Sequence, residues 1–92
     1  SDKPAPHILL NGDELEIEVG DTFSYYQAAS PEWVTIVTIT TNQSNPNAGM
    51  ISQRHPLAQA MLGARIGDKV PLVDEKGRRT YIVKKIIKAN VA

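Results

Sequence analysis

A single short helix, bounded at both ends by residues that restrict the backbone, most constrains what this chain can fold into. Pro56 suits the first helical position, where its missing N–H is not needed, and Leu57 and Met61 follow four residues apart on one face. Gly63 suits the left-handed residue that commonly ends a helix. The sequence therefore predicts a helix over residues 56–62, of about two turns. A helix this short is unstable alone in water and must pack against the rest of the chain.

The remainder of the chain is dominated by strand-forming segments. TFSYYQA and WVTIVTITT are rich in β-branched and aromatic residues, and the second has apolar residues on both faces, which is typical of a central strand. KVPLV and TYIVKKIIKA are predicted to form a hairpin around the loop DEKGRR. Pro71 predicts a free edge or a bulge in the first of these strands. Alternation fails at Lys84 and Lys85, which predicts a bulge or a strand end there.

The acidic N-terminal region is predicted to add another strand. Leu15, Ile17 and Val19 alternate with three glutamates, which is the pattern of a half-buried strand with a solvated acidic face. The dipeptide Asn11-Gly12 that precedes it is typical of a tight hairpin turn.

The length of 92 residues suits one small domain. Residues 1–6, SDKPAP, are expected to form a flexible lead-in, and residues 7–92 a single domain. Five to six strands with one short helix inserted late predict an α+β fold with a mainly antiparallel sheet.

Charge is unevenly distributed along a chain whose net charge is zero. Residues 1–46 carry seven acids against one base (−6), and residues 47–92 carry nine bases against three acids (+6). A neutral domain is a poor general binder of nucleic acid, because that affinity comes mainly from neutralised phosphates, so we expect no direct nucleic-acid partner. The asymmetry could orient a charged protein partner, but the simpler interpretation is that the two halves fold together and complement each other.

The sequence lacks the usual marks of a membrane protein, a metalloprotein or a familiar enzyme. No apolar run approaches the ~20 residues of a membrane span, and the absence of cysteine is compatible with the cytoplasm. His7 and His55, the two histidines, lie far apart, so we expect no metal site. Ser52, His55 and Asp68 lack the surroundings of a catalytic triad, and no phosphate-binding loop occurs. We therefore expect no catalytic residue and no cofactor.

A basic cluster in the last third of the chain has two interpretations. It could meet an acidic partner or an RNA backbone, or it could keep an exposed hairpin and sheet edge soluble, and we favour the second. Its members are Lys76, Arg78, Arg79, Lys84, Lys85 and Lys88.

The stretch ISQRHPLAQAMLGARIGDKV, residues 51–70, resembles the signature of the C-terminal domain of the bacterial Gre transcript-cleavage factors, GreA and GreB. That signature reads approximately I-S-x-x-S-P-L-A-x-A-L-L-G-x-x-x-G-D-x-V, and Pro56, Gly63 and Gly67 stand at matching positions. RRTYIV, just after Gly77, is similar to an R-x-Y-x-I pattern later in the family. The resemblance covers roughly residues 20–87.

The resemblance implies an FKBP-like fold, in which a curled, mainly antiparallel sheet surrounds one short helix. It also implies a non-enzymatic interaction domain whose partner is RNA polymerase or an associated protein, since the Gre domain docks at the rim of the polymerase secondary channel. In the family, the loop before the helix carries Asp-Ser-Pro and belongs to the docking surface. Arg54, His55 and Pro56 stand at those positions here, and together with Ser52 they are the expected partner-binding residues.

The resemblance does not extend to RNA cleavage. Gre factors stimulate cleavage with acidic residues at the tip of an N-terminal coiled coil, which help to hold a metal. The N-terminal residues of this chain are strand-like and show no heptads, so cleavage-stimulating residues are not expected.

Two alternatives to a docking domain stay open. The chain could be an appended structural module of a larger nucleic-acid-related protein. An FKBP-like fold also suggests a peptidyl-prolyl isomerase, but fold alone is weak evidence of function, and that pocket needs several aromatic side chains around a substrate proline. With one Phe, one Trp and three Tyr, some needed in the core, we do not expect such a pocket.

Overall fold

The computed structural model describes residues 14–89, which form one five-stranded sheet and one short α-helix. The helix ends one residue earlier than predicted, and Gly63 has the left-handed φ, +87°, expected after a helix end. The strand order in the sheet is β3-β2-β1-β5-β4. The elements in chain order are β1 (Thr22–Gln27), β2 (Ser30–Thr40), a 3-10 helix (Pro46–Ala48), β3 (Met50–Ser52), α1 (Pro56–Met61), β4 (Lys69–Asp74) and β5 (Gly77–Ile87).

The sheet is a mixed, curled half-barrel in which most pairs are antiparallel, which confirms the predicted fold class. β3 is the exception, because it pairs with β2 in parallel, with Thr38 opposite Met50 and Thr40 opposite Ser52. The sequence does not predict this strand, since three residues are too few to show alternation. β3 pairs with only the last three residues of β2. β2, predicted to be a central strand, therefore has a neighbour on both sides at that end and, among the described strands, only β1 beside the rest of it.

Both irregularities predicted for the last hairpin are present. Pro71 lies on β4, which is an edge strand of the sheet, so its missing N–H leaves no gap inside the ladder. On β5, Lys85 pairs with Ser24 and Val83 pairs with Tyr25, which leaves Lys84 as the extra residue of a bulge.

The core lies between helix α1 and the face of the sheet that curls around it. Leu57, Ala58 and Met61 are the buried residues of the helix, so the prediction that it packs against the rest of the chain is confirmed. Each fully buried Val, Leu, Ile, Phe or Met side chain contributes about 1.5–3 kcal/mol relative to an exposed one. The sheet and loops add Ile17, Phe23, Val37, Ile39, Ile51, Ala64, Val70, Val83 and Ile86 to this core.

The strand predicted around Ile17 is wrong, and its predicted apolar face is only partly buried, because Ile17 is buried and Leu15 half-buried whereas Val19 is exposed. Residues 15–18 lie outside the sheet, and Ile17 pairs instead with the loop after the helix: its N–H donates to Ala64 O at 2.9 Å and its carbonyl accepts from Gly63 N at 2.8 Å. Ile17 is 1% exposed, and Glu16 and Glu18 face solvent. Through these two hydrogen bonds, the segment covers the core beside the end of the helix. An alternating segment can thus bury one face without joining a sheet.

Several predictions concern residues outside the described range. The Asn11-Gly12 turn, the flexible lead-in over residues 1–6 and the remaining N-terminal residues of the predicted domain all precede residue 14.

A buried carboxylate ties the two ends of the described chain together. Asp21 is 2% exposed and accepts hydrogen bonds from Glu18 N at 2.8 Å, from Ala89 N at 2.9 Å and from the Lys88 ammonium. Burial alone would raise the pKa of Asp21, but these hydrogen bonds and the charge of Lys88 together hold that pKa below its ordinary value. Nothing local in the sequence marks the Asp21 carboxylate as buried, because its position after Gly20 suits an ordinary turn.

Candidate partner-binding surface

The four residues expected to bind a partner lie on one tight turn between β3 and α1. β3 ends at Ser52, whose hydroxyl accepts from Arg54 N at 3.1 Å and whose carbonyl accepts from His55 N at 2.9 Å. α1 begins at Pro56. Arg54, His55 and Pro56 are exposed and Ser52 is half-buried, so the structure brings all four together on a turn fixed by its own hydrogen bonds.

His55 caps the helix with its side chain. Its Nδ1 accepts from Leu57 N at 3.0 Å, and its backbone is extended, with φ −64° and ψ 139°. An imidazole that accepts through Nδ1 carries its proton on Nε2, so the exposed ring offers a donor. His55 thus takes the position where serine or threonine is usual, and it does so with a ring nitrogen.

A polar groove lies beside this turn and extends to the loop after β2. It has a volume of about 350 Å³ and is lined by Thr41, Asn42, Gln43, Ser44, Ser52 and Arg54. Two hydrogen bonds hold its walls together, from Ser52 N to Ser44 Oγ at 2.8 Å and from Gln53 N to Thr40 O at 2.8 Å. Ser52 and Arg54 line the polar groove, whereas His55 and Pro56 do not.

The contribution of residues 41–44 to this groove is not predictable from the sequence. Thr41 is the last residue of the predicted strand WVTIVTITT, and residues 42–44 are identifiable only as polar. The parallel pairing of β3 with β2 is what brings them beside Arg54. Ser44 is a partial signal, because a serine hydroxyl in a loop can hydrogen-bond the backbone at a strand end. The sequence does not show which strand end it meets.

A second, aromatic cleft of about 340 Å³ lies at the end of the sheet near the β1–β2 turn. Tyr25 and Tyr81 meet edge to face there, with ring centroids 5.4 Å apart, and Trp33 is 73% exposed beside them. Burial raises the pKa of the Tyr25 hydroxyl, the charge of Tyr81 adds to that effect, and a hydrogen bond with Thr35 partly offsets it. The full lining is Tyr25, Tyr26, Gln27, Ser30, Trp33, Thr35 and Tyr81.

This convergence of aromatic side chains differs from expectation. The sequence gives no reason to place Tyr81 beside Tyr25, because their proximity depends on the register of β5 against β1. Since Tyr25 pairs with Thr35 and Tyr26 with Val34, the two neighbouring tyrosines point to opposite faces, as expected for consecutive strand residues.

Two of the six residues in the basic cluster are ion-paired. Arg79 pairs with Asp74, while Lys88 binds Glu18 at 3.0 Å and also Asp21. Arg65 binds Glu16 at 3.0 Å. The pairs of Arg65 and Lys88 join acids of the first half to bases of the second, which confirms that the two halves complement each other.

Neither a metal-binding cluster nor a membrane-spanning helix occurs among residues 14–89. No group of three or more His, Cys, Asp or Glu side chains in that range could hold a metal ion. Within the same residues, no helix has the length and apolar character needed to cross a membrane.

Comparison with known proteins points to one family. Residues 12–88 match the family described as "Transcription elongation factor, GreA/GreB, C-term". Transcription elongation factor GreA of Sulfurovum sp. (strain NBC37-1) is 30% identical over 71 residues, which cover 77% of this chain and 44% of that protein. GreA of Chlorobium phaeovibrioides (strain DSM 265 / 1930) is 36% identical over 55 residues, which cover 60% and 35%. The chain therefore spans less than half the length of these curated relatives.

Solved structures agree with the sequence comparison. A structure of the transcription factor Gfh1 superimposes with a TM-score of 0.71 at 28% identity and covers 87% of this chain and 53% of that chain. The crystal structure of GreA factor homolog 1 (Gfh1) of Thermus thermophilus gives a TM-score of 0.68 at 26% identity, with the same coverage.

Proposed function

This chain belongs to the GreA/GreB C-terminal domain family of transcription elongation factors, and from that premise we propose that it is a non-enzymatic domain that docks on RNA polymerase or a polymerase-associated protein in the cytoplasm. The docking residues are Ser52, Arg54, His55 and Pro56. Their shared turn is the observation that carries the assignment of the site.

The turn is well suited to binding because it is already ordered. Hydrogen bonds within residues 52–57 fix the backbone of the turn and the ring of His55. A partner that meets a preformed surface loses less conformational entropy on binding than one that must order a loop. An exposed cation and an imidazole N–H also give the turn polar groups that can select one partner over another.

The test is retention of purified bacterial RNA polymerase by the immobilised chain. We expect the wild-type chain to retain polymerase, and the double variant Arg54→Ala/Pro56→Ala to retain much less. Arg78→Ala is the matched control, because Arg78 is also an exposed arginine but lies on the distant β4–β5 hairpin. Equal retention by the double variant would place the docking residues elsewhere. Absence of retention by both the wild-type chain and Arg54→Asp would exclude polymerase as the partner.

A further inference from the structure

We propose that the polar groove binds a carboxylate, so that the docking turn recognises an acidic segment of its protein partner. This inference rests on the proposed function and specifies the chemistry of the contact. The occupant is an Asp or Glu side chain flanked by further acids, held by Arg54 and the hydroxyl groups beside it.

The first support is the charge of the surrounding chain. Residues 33–67 contain no Asp or Glu, and their two permanently charged basic residues are Arg54 and Arg65. Arg65 is already bound to Glu16. No carboxylate of residues 14–89 lies within salt-bridge distance of the Arg54 guanidinium, so in that part of the chain its charge is not neutralised.

The second support is the direction of the hydrogen bonds at the groove. The hydroxyl oxygens of Ser44 and Ser52 each accept a bond from a backbone N–H, of Ser52 and Arg54 respectively. A hydroxyl that accepts in this way keeps its own proton for an outside acceptor. Both serines, the amide groups of Asn42 and Gln43, and the guanidinium therefore offer donors around one space, and a carboxylate, which only accepts, matches them.

The third support is geometric. A guanidinium presents parallel N–H groups that match the two oxygens of a carboxylate, which an ammonium group cannot do. A volume of about 350 Å³ accommodates one side chain and the adjoining backbone of a partner segment. The rigid walls of the groove fix the approach of that segment, because Ser52 N and Gln53 N bind the loop and β2.

The polymerase experiment distinguishes this inference from the proposed function. We expect the wild-type chain to retain polymerase and Arg54→Glu to bind at least about tenfold more weakly, since like charges meet across the contact. The matched control is Arg78→Glu, which makes the same charge change on the β4–β5 hairpin and should bind as the wild type does. If Arg54→Glu binds as well as the wild type, docking stands and the carboxylate site is wrong. If Arg54→Glu retains polymerase and the wild-type chain does not, the partner surface is basic and the inference is overturned.

A direct titration decides the inference even if polymerase proves not to be the partner. The folded, isotope-labelled chain is titrated with a hexaglutamate peptide in low salt, and amide shifts are followed by NMR. We expect shifts confined to residues 41–44 and 52–54, abolished in Arg54→Gln and absent with hexaglutamine. Shifts spread over the β4–β5 hairpin, or no shifts, would overturn the inference. A short single-stranded oligonucleotide that binds the groove more tightly than the acidic peptide would also overturn it.

Discussion

The Nζ of Lys88 lies 2.5 Å from Oδ2 of Asp21, although 67 positions separate the two residues in sequence. The carboxylate is buried, with 3% of its side chain exposed, whereas the lysine side chain is 23% exposed. Two backbone N–H groups complete the set of donors to the carboxylate, one from Glu18 and one from Ala89. The pair therefore fastens both the segment before β1 and the residues after β5 to the sheet.

Removing this carboxylate should destabilise the fold more than removing an exposed one. Asp21→Ala leaves the N–H groups of Glu18 and Ala89 without their acceptor and removes the buried partner of the Lys88 ammonium, which keeps its bond to Glu18. We expect a loss of about 3 kcal/mol of unfolding free energy. The control is Glu16→Ala, which breaks the exposed pair with Arg65 and should cost no more than about 1 kcal/mol. Urea denaturation followed by circular dichroism measures both. Equal losses in the two variants would show that burial of Asp21 is not decisive.

The same carboxylate predicts a dependence of stability on pH. The pKa of Asp21 is lower in the folded chain than its ordinary value. Its contribution is therefore fully present above the unfolded value of about 4 and is lost as pH falls through the lower, folded value. Urea unfolding from pH 6 down to pH 2, at intervals of about half a unit, should show the wild type losing more stability below pH 4 than Asp21→Asn does. Parallel curves for the two proteins would contradict this origin of the acid sensitivity.

The bulge on β5 predicts that one deletion is tolerated. Val83 and Ile86 both face the core, although three positions separate them, because Lys84 is the extra residue between them. Deleting Lys84 leaves the two residues at regular strand spacing, still on one face, so the chain should fold with a loss of less than about 2 kcal/mol.

The control deletion is Thr38 in β2. It makes Val37 and Ile39 adjacent, so that they point to opposite faces and one of them leaves the core. Exposing that side chain should cost at least about 2 kcal/mol, and strain in the β1–β2 pairing adds to the loss. Thermal unfolding of the two deletion variants compares them. A larger loss of melting temperature on deleting Lys84 would show that the bulge has a structural role beyond spacing.

The cap formed by His55 can be separated from its role at the surface. His55→Ala removes the acceptor of Leu57 N and should lower the unfolding free energy by about 1 kcal/mol, whereas His55→Ser supplies a new cap and should recover most of it. Both variants remove the imidazole. If polymerase retention falls equally in both while only the alanine variant is destabilised, the ring itself contacts the partner. Recovery of retention by serine would show that the ring acts only through the helix.

The parts of the fold that depend on neighbouring residues are predictable from sequence. Pro56 and Gly63 mark the helix ends because their backbone preferences are local, and the failure of alternation at Lys84 marks a bulge for the same reason. The expected docking residues also lie together, since they are adjacent in the chain.

The features that sequence reasoning misses depend on which distant segments meet. The segment around Ile17 has the alternation of a strand, yet it pairs with the loop at Ala64 instead of a sheet edge. Residues 41–44 enter the polar groove only because a strand of three residues lies parallel to β2. Tyr81 reaches Tyr25 through the pairing of β5 with β1. Periodicity describes which side of a segment is apolar, but it does not name the partner of that side.

The parallel pairing of β3 also has a mechanical consequence. A partner that pulls on Arg54 applies tension to the turn directly after β3, and β3 runs alongside the end of β2 in the same direction. Tension along β3 would load its pairing with β2 in shear, so that several hydrogen bonds resist together and do not open one after another. The connection from Gln53 N to Thr40 O adds a further bond at the loaded end. Force on Arg54 would thus load the sheet through β3, which ends two residues before it, as well as the short helix that begins two residues after it.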